Sequence, residues 1–349
     1  MGIFTLDRGS REGHQVADVL VRTRTLVDPA LRSAIGTLPE SMRRIAGYHF
    51  GWWEPDGTPA NAGAGKAIRP ALVLAAVQAL GRRPAEAVRA AAAVELVHNF
   101  TLLHDDVIDR DQTRRHRLTA WRVFGTTEAI LAGDAMHSLA LRTLAEDDHP
   151  ATPAAVRRLA DCVVELCAGQ QSDCAFERRD DVSLAECLTM AEGKTGALLG
   201  CACAIGALYA GADDNATQAL DAFGREIGLA FQLIDDLIGI WGDPAVTGKP
   251  VGADLAARKK SLPVVHALSS GSEEAAVLAE LYALERPLTA EELLAAAAAV
   301  DGAGGRAWAQ TESCERMAAA IGHLSTAVPD PTAADDLLAL AELVTRRNH

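Results

Sequence analysis

Three aspartates stand close together in His104-Asp105-Asp106-Val107-Ile108-Asp109, and two more close Phe231-Gln232-Leu233-Ile234-Asp235-Asp236. Around the first group Leu96, Phe100, Leu103 and Val107 recur at helical spacing, which predicts a buried or half-buried helix. At about 100° per residue, Asp105 and Asp109 lie within about 40° of each other, one turn apart, and His98 and Thr101 extend that face. Like charges so placed destabilise a helix unless something cationic offsets them. Magnesium takes hard oxygen ligands and keeps water and phosphate in its shell, so this pair suits a magnesium–diphosphate site. A solvated acidic face is the plain alternative, and the apolar surroundings argue against it. The second pair again follows an apolar run, Leu229 to Ile234. Two facing acidic helices holding divalent ions, with a diphosphate completing the coordination, account for both. Asp111 and Asp243 are further acidic candidates, each near a helix end.

The elements that must position these groups read as helices almost throughout. Ala-rich runs such as Ala295 to Ala299 favour helix, and β-branched alternation is scarce. Two early helices are expected near 14–26 and 29–48, the second opening at Asp28-Pro29. A Gly/Pro-rich loop covers Gly51 to Gly65, and helix follows helix from Arg69 to about residue 268. Breaks are expected at Gly81–Pro84, Thr113–Thr119, Asp147–Pro153, Arg178–Ser183, Gly211–Asn215 and Gly242–Gly252, and later near Gly302–Gly305 and Val328–Pro331. Residues 1–12 read as a flexible N-terminus and 13–349 as a single helical domain.

The formal charge of −14 and the lack of a long basic stretch speak against a nucleic-acid partner. An acidic protein can still hold a polyanion when divalent cations lie between the two. Ala197 to Ala212 is the most apolar stretch; it is too short to span a bilayer and reads as a buried helix, so no stable membrane insertion is expected. Seven cysteines without a CxxC pair, and no signal peptide, point to reduced thiols and a cytoplasmic protein.

Taken in order, the motifs resemble the trans-isoprenyl diphosphate synthases, the polyprenyl synthetase family, most closely its bacterial geranylgeranyl diphosphate synthases. Gly65-Lys66-Ala67-Ile68-Arg69-Pro70 resembles the GKxxRP element, and Asp105-Asp106-Val107-Ile108-Asp109 the first DDxxD motif, with Arg114-Arg115 following. Gly169-Gln170-Gln171-Ser172-Asp173, Lys194-Thr195 and Phe231 to Asp236 resemble GQxxD, KT and FQxxDD. Gly248-Lys249, Gly252-Ala253-Asp254-Leu255 and Lys259-Lys260 resemble the downstream loop. Each alone is weak; their order from about Gly65 to Leu268 is specific.

The resemblance implies an all-α, isoprenoid synthase-type helical bundle around a deep central apolar cavity, and a homodimer. It implies magnesium-dependent head-to-tail condensation of isopentenyl diphosphate with an allylic diphosphate, with about three Mg2+ per active site. Asp105, Asp109 and Asp235 become the direct metal ligands, supported by Asp106 and Asp236. Arg114, Lys194 and Lys259 would hold the allylic diphosphate, helped by Thr195, Gln232 and Lys249. Lys66, Arg69, His98 and Arg115 would hold isopentenyl diphosphate without metal.

Two departures stand out. The last position of the second motif, usually an aspartate, is Gly239, with Asp243 one turn further on as a possible substitute. The loop's usual glycine before the lysines is Arg258, expected to add positive charge near the diphosphates. For product length, Phe100 lies five residues before Asp105, where the family's bulky side chains floor the cavity; Thr101 is small, although the helical wheel puts Thr101 nearer the Asp105 face. That pattern points to a C20 product, with farnesyl or longer chains as alternatives. A class I terpene cyclase and a non-catalytic regulatory subunit are the rival readings. The second diphosphate set argues against the first, and the intact first motif against the other.

Overall fold

The computed structural model describes residues 12–60, 65–242 and 251–345. Almost every ordered element among them is a helix; the exception is one hairpin, Thr113–Arg114 against Arg117–Leu118, besides a lone bridge between Trp53 and Pro59. The chain groups into two compact units. One comprises the chain up to Val163 with Cys201–Asp221 and Ser325–Leu340; the other comprises Val164–Gly200, Ala222–Leu324 and the chain from Ala341.

In the first unit, the opening segment differs from its sequence reading. One helix runs unbroken over Glu12–Gly36 with Pro29 inside it, and a second covers Glu40–His49. Proline in a helix interior costs about 3 kcal/mol or more. Val19, Thr23, Val27, Leu31 and Ile35, four apart, form a buried stripe along this helix. Burying the aliphatic members at about 1.5–3 kcal/mol each outweighs the proline. The break falls instead at Thr37–Pro39, where Thr37 and Leu38 close a turn on Ala34 and Ile35.

The central element of this unit is the Val88–Ile108 helix, which packs on Glu12–Gly36, Ile68–Ala79 and Thr126–Ala145. Its run Ala90 to Val94 is fully buried, and small side chains let neighbouring helices approach from several sides. Among the described residues the later breaks fall close to their expected positions, the Gly242–Gly252 break lying mostly outside them, and the Ala197–Ala210 helix is buried on nearly all faces, as its composition predicts.

In the second unit, Cys187, Met190, Leu229, Leu233, Leu237 and Val265 form a core joining the helices Leu184–Ala191, Asp214–Trp241 and Leu262–Ser269. A further cluster joins Ile240 to Leu255, Val264, Leu278 and Val300. Asp235 and Asp236 thus sit on a helix whose neighbouring turns are anchored by Leu233, Leu237 and Ile240. The expected N-terminal flexible segment, Asp243, Gly248 and Lys249 lie outside the described residues, apart from Glu12, which opens the first helix. All seven cysteines are free.

Candidate active site

Asp105 and Asp106 close the last turn of the Val88–Ile108 helix, and Asp109 is its C-cap. No basic residue lies in that turn. Backbone carbonyls already make a helix C-terminus negative, so three carboxylates there create a local demand for cations. Asp105 is half-buried and Asp109 exposed, while Asp106 is 1% exposed. Burial pushes the Asp106 carboxyl up to about 6, against the pull of Arg114. Arg114 Nε donates to Asp106 Oδ1 at 2.6 Å. The second aspartate of the motif therefore pins the arginine, and the first and last remain at the surface.

Arg114 and Arg115 arrive on the hairpin. Arg115 and His116, at φ 52° and 61°, form its turn in the left-handed region, which a two-residue hairpin of this type needs and which glycine or asparagine usually fills. The motif reading placed a break here without foreseeing strands. Arg110 (φ 56°), Ala67 in the GKxxRP element (φ 55°) and Arg258 (φ 49°) are also left-handed. All five described non-glycine residues at positive φ thus lie in motif loops or beside them, which is where backbone strain gathers in functional sites.

One to three turns back along the acidic helix lies a partly buried polar cluster. Arg69 Nη1 is 3.1 Å from His98 Nε2. Burial first, then the Arg69 and Arg115 charges, hold His98 well below the usual histidine range, so the ring is neutral. Glu95, one turn below, is buried; burial raises its carboxyl while Arg69 pulls it down. Asn99 Nδ2 donates to Glu95 Oε1 at 3.0 Å. Gly65 makes room for the guanidinium: a Cβ there would stand 2.6 Å from Arg115 Nη2. Lys66 is exposed beside this group. The sequence reading chose Lys66, Arg69, His98 and Arg115, and the structure brings the last three together. It missed Glu95, Asn99 and His49. His49 has an enclosed ring nitrogen, and burial plus Arg115 and Arg114 lower it to about 3. The overlooked signal for Glu95 was a lone acid inside the apolar run Val94 to Val97.

Phe100 is buried, its ring edge-on to His104 at 5.6 Å and 5.2 Å from His137. Thr101 is half-buried and donates to the His98 carbonyl.

The second unit repeats the arrangement. Asp235 is half-buried, and Asp236 is 3% exposed with both oxygens engaged. Its Oδ1 accepts from Gln232 Nε2 at 2.8 Å and lies 4.0 Å from Lys259 Nζ; its Oδ2 accepts from the Leu262 amide at 2.9 Å. Burial pushes Asp236 up to about 6 while Lys259 opposes it. Burial works against the Lys259 charge, but Asp236, Asp254, Asp173 and Asp235 together raise it well above the ordinary lysine range. Thr195 donates to Gln232 Oε1 at 2.9 Å, and Lys194 Nζ pairs with Asp173 at 2.5 Å.

Lys194 and Thr195 lie on one turn of π-helix, Glu192–Gly196, an irregularity that is frequent at functional sites. Gly169 permits it: a Cβ there would lie 2.5 Å from the Lys194 backbone nitrogen. Arg258 stands just before Lys259. Its guanidinium donates to the Arg286 carbonyl, and its left-handed backbone is the conformation a glycine would take without strain.

The polyprenyl synthetase family pattern matches residues 59–300. The chain is 49% identical to a geranylgeranyl diphosphate synthase of Mycobacterium tuberculosis (strain ATCC 25618 / H37Rv) over 350 aligned positions, covering 99% of each chain. The chain belongs to the polyprenyl synthetase family. It is also 46% identical to a (2E,6E)-farnesyl diphosphate synthase of Mycobacterium bovis (strain ATCC BAA-935 / AF2122/97), covering 91% of this chain and 89% of that one. The crystal structure of a polyprenyl synthetase from Streptomyces coelicolor A3(2) superposes with a TM-score of 0.90 at 44% identity, covering 94% of this chain and 99% of the other. As a polyprenyl synthetase the protein is a prenyltransferase with the all-α isoprenoid synthase fold. No described helix is long and apolar enough to cross a membrane.

Proposed function

We propose that this polyprenyl synthetase condenses isopentenyl diphosphate with allylic diphosphates to geranylgeranyl diphosphate, using magnesium, as a cytoplasmic homodimer. One observation carries the reading. Each acidic helix carries a more accessible aspartate beside a buried one, and each buried aspartate lies against a basic residue from further along the chain, Arg114 or Lys259.

The donor set fits the metal. Among the described residues no three His, Cys, Asp or Glu side chains converge as a ready-made metal cage. Magnesium does not need one, since one or two carboxylates plus water and substrate phosphate complete its shell. Asp105, Asp109 and Asp235 would hold the ions, about three with the diphosphate bound. Bound there, magnesium neutralises negative charge on the departing diphosphate.

The protein groups supply the rest. Asp106 holds Arg114 in the first unit, and Asp236 lies beside Lys259 in the second, where Lys194, Thr195 and Gln232 contribute further donors for a diphosphate. Arg69, Arg115, Lys66 and neutral His98 hold isopentenyl diphosphate through charge and hydrogen bonds alone. The allylic C–O bond breaks with its electron pair leaving on the diphosphate, the alkene of isopentenyl diphosphate forms the new C–C bond, and one proton departs. Preorganised donors aimed at developing charge supply most of such an acceleration. Phe100 would floor the chain-accepting space.

Mass spectrometry of dephosphorylated products, after incubation with C5, C10 or C15 allylic diphosphates, isopentenyl diphosphate and magnesium, tests the reading. A C20 alcohol is expected from each. A C15 end point would favour the farnesyl alternative that the second relative's name suggests. Hydrocarbon from an allylic substrate alone would show a cyclase, and turnover only after adding another subunit would show a regulatory chain.

A further inference from the structure

The second acidic motif has Gly239 where its third carboxylate is expected. That vacancy is filled from elsewhere in the chain. A Cβ built on Gly239 would overlap Asp254 Oδ2 and stand 2.5 Å from Asp254 Cγ. A carboxylate therefore already occupies the point where a side chain at position 239 would begin. Position 239 is four residues beyond Asp235 on one helix, so their Cβ positions are neighbours, roughly 5–6 Å apart. The Asp254 carboxylate thus lies within reach of the Asp235 face, where an i,i+4 partner would stand.

Three further observations show that this placement is built. Gly252, at φ 73°, caps the short Ala253–Ala256 helix that carries Asp254. Leu255 is fully buried in the cluster that contains Ile240, which draws this helix onto the end of Asp214–Trp241. The Lys259 amide donates to the Asp254 carbonyl at 2.9 Å, so the lysine and the aspartate share one turn.

We propose that Asp254 is the displaced third carboxylate of the second acidic motif, completing with Asp235 the acidic face that serves the magnesium-bound diphosphate. Set back by about one side-chain length, it would support that group by hydrogen bonding to bound water. Gly239 and Asp254 are then a coupled pair: an aspartate at 239 requires a small residue at 254, and a glycine at 239 requires the acid at 254. The proposal rests on the reading that Asp235 serves a magnesium-bound diphosphate.

The test is a swap. Asp254→Asn keeps the shape and removes the charge; Asp254→Ala removes the three atoms nearest to a Cβ at 239. Titration of Mn2+ in the presence of inorganic diphosphate, read by electron paramagnetic resonance, reports binding without turnover, and the magnesium concentration for half-maximal rate gives the second readout. Thermal melts confirm that each variant is folded. Asp254→Asn is expected to weaken Mn2+ binding and raise the half-maximal magnesium concentration about tenfold, the upper side-shell range being about a hundredfold. Gly239→Asp alone should impair the enzyme by crowding, and the Gly239→Asp/Asp254→Ala double variant should recover most of what either single change loses. Additive losses in the double variant, or an unchanged Asp254→Asn, would overturn the proposal, and Gly239 would then be a packing residue only. Asp235→Asn separates the two levels. If it abolishes Mn2+ binding while Asp254→Asn does not alter it, only the displaced carboxylate is wrong. If Asp235→Asn leaves binding intact, the underlying reading fails and takes the proposal with it.

Discussion

At the scale of single residues, the site depends on a division of labour within each Asp-Asp pair. The first aspartate is accessible; the second is buried and spent on the protein itself. Replacing Asp105 or Asp235 by Asn should lower kcat by roughly 10²–10³ in steady-state assays at saturating magnesium, since one group stabilising transition-state charge is worth about that much. The arginines follow a different rule. Arg115 reaches past Gly65 toward the Arg69–His98 pair, and a guanidinium presents a planar fork that an ammonium cannot copy. Arg115→Lys is therefore expected to raise KM for isopentenyl diphosphate at least about tenfold, with KM for the allylic substrate little changed. Equal rises in both would place Arg115 with the wrong diphosphate. Much of this level was legible in the chain, because motif spacing records which groups share a helix face. Asn99 and His49 were not legible, because what marks them is enclosure by other segments; Glu95 left one trace, its place inside an apolar run. Arg258 shows the converse: its charge is visible in the sequence, but its left-handed backbone and its carbonyl partner are not.

At the scale of elements, two irregularities place the basic residues: a hairpin for Arg114 and Arg115, and a π turn for Lys194 and Thr195. Neither follows from hydrophobic period, which locates helices and says little about a two-residue turn or one extra residue per turn. The opening helix shows the same limit from the other side, for a proline that reads as a boundary is overridden by a buried stripe. Phe100 belongs to this level too, because its ring is held between His104 and His137 on a neighbouring helix. Phe100→Ala should lengthen the product beyond that of the parent enzyme by at least one C5 unit in product mass spectra; an unchanged product would mean that another residue sets the limit.

At the scale of the whole molecule, two half-buried histidines tie stability to pH. His49 and His98 both sit below the unfolded value in the native state. The unfolded chain therefore binds more protons than the folded one below about pH 6.5, and stability is lost as pH falls under that point. Each contributes about 1 kcal/mol per pH unit, so melting temperature should drop steeply between pH 6.5 and 5. The slope should flatten in a His49→Asn/His98→Asn double variant, measured by scanning calorimetry. The strained backbone has a consequence on the same scale. A non-glycine residue at positive φ costs about 1–2 kcal/mol, and glycine returns part of that in extra unfolded-state freedom. His116→Gly and Arg258→Gly should each gain about 0.5–1 kcal/mol of stability. His116→Gly should lose turnover if the tight turn keeps Arg115 in place. Heat tolerance and catalysis then pull in opposite directions at this turn, so directed selection for durability alone would drift toward a tougher protein that makes less product.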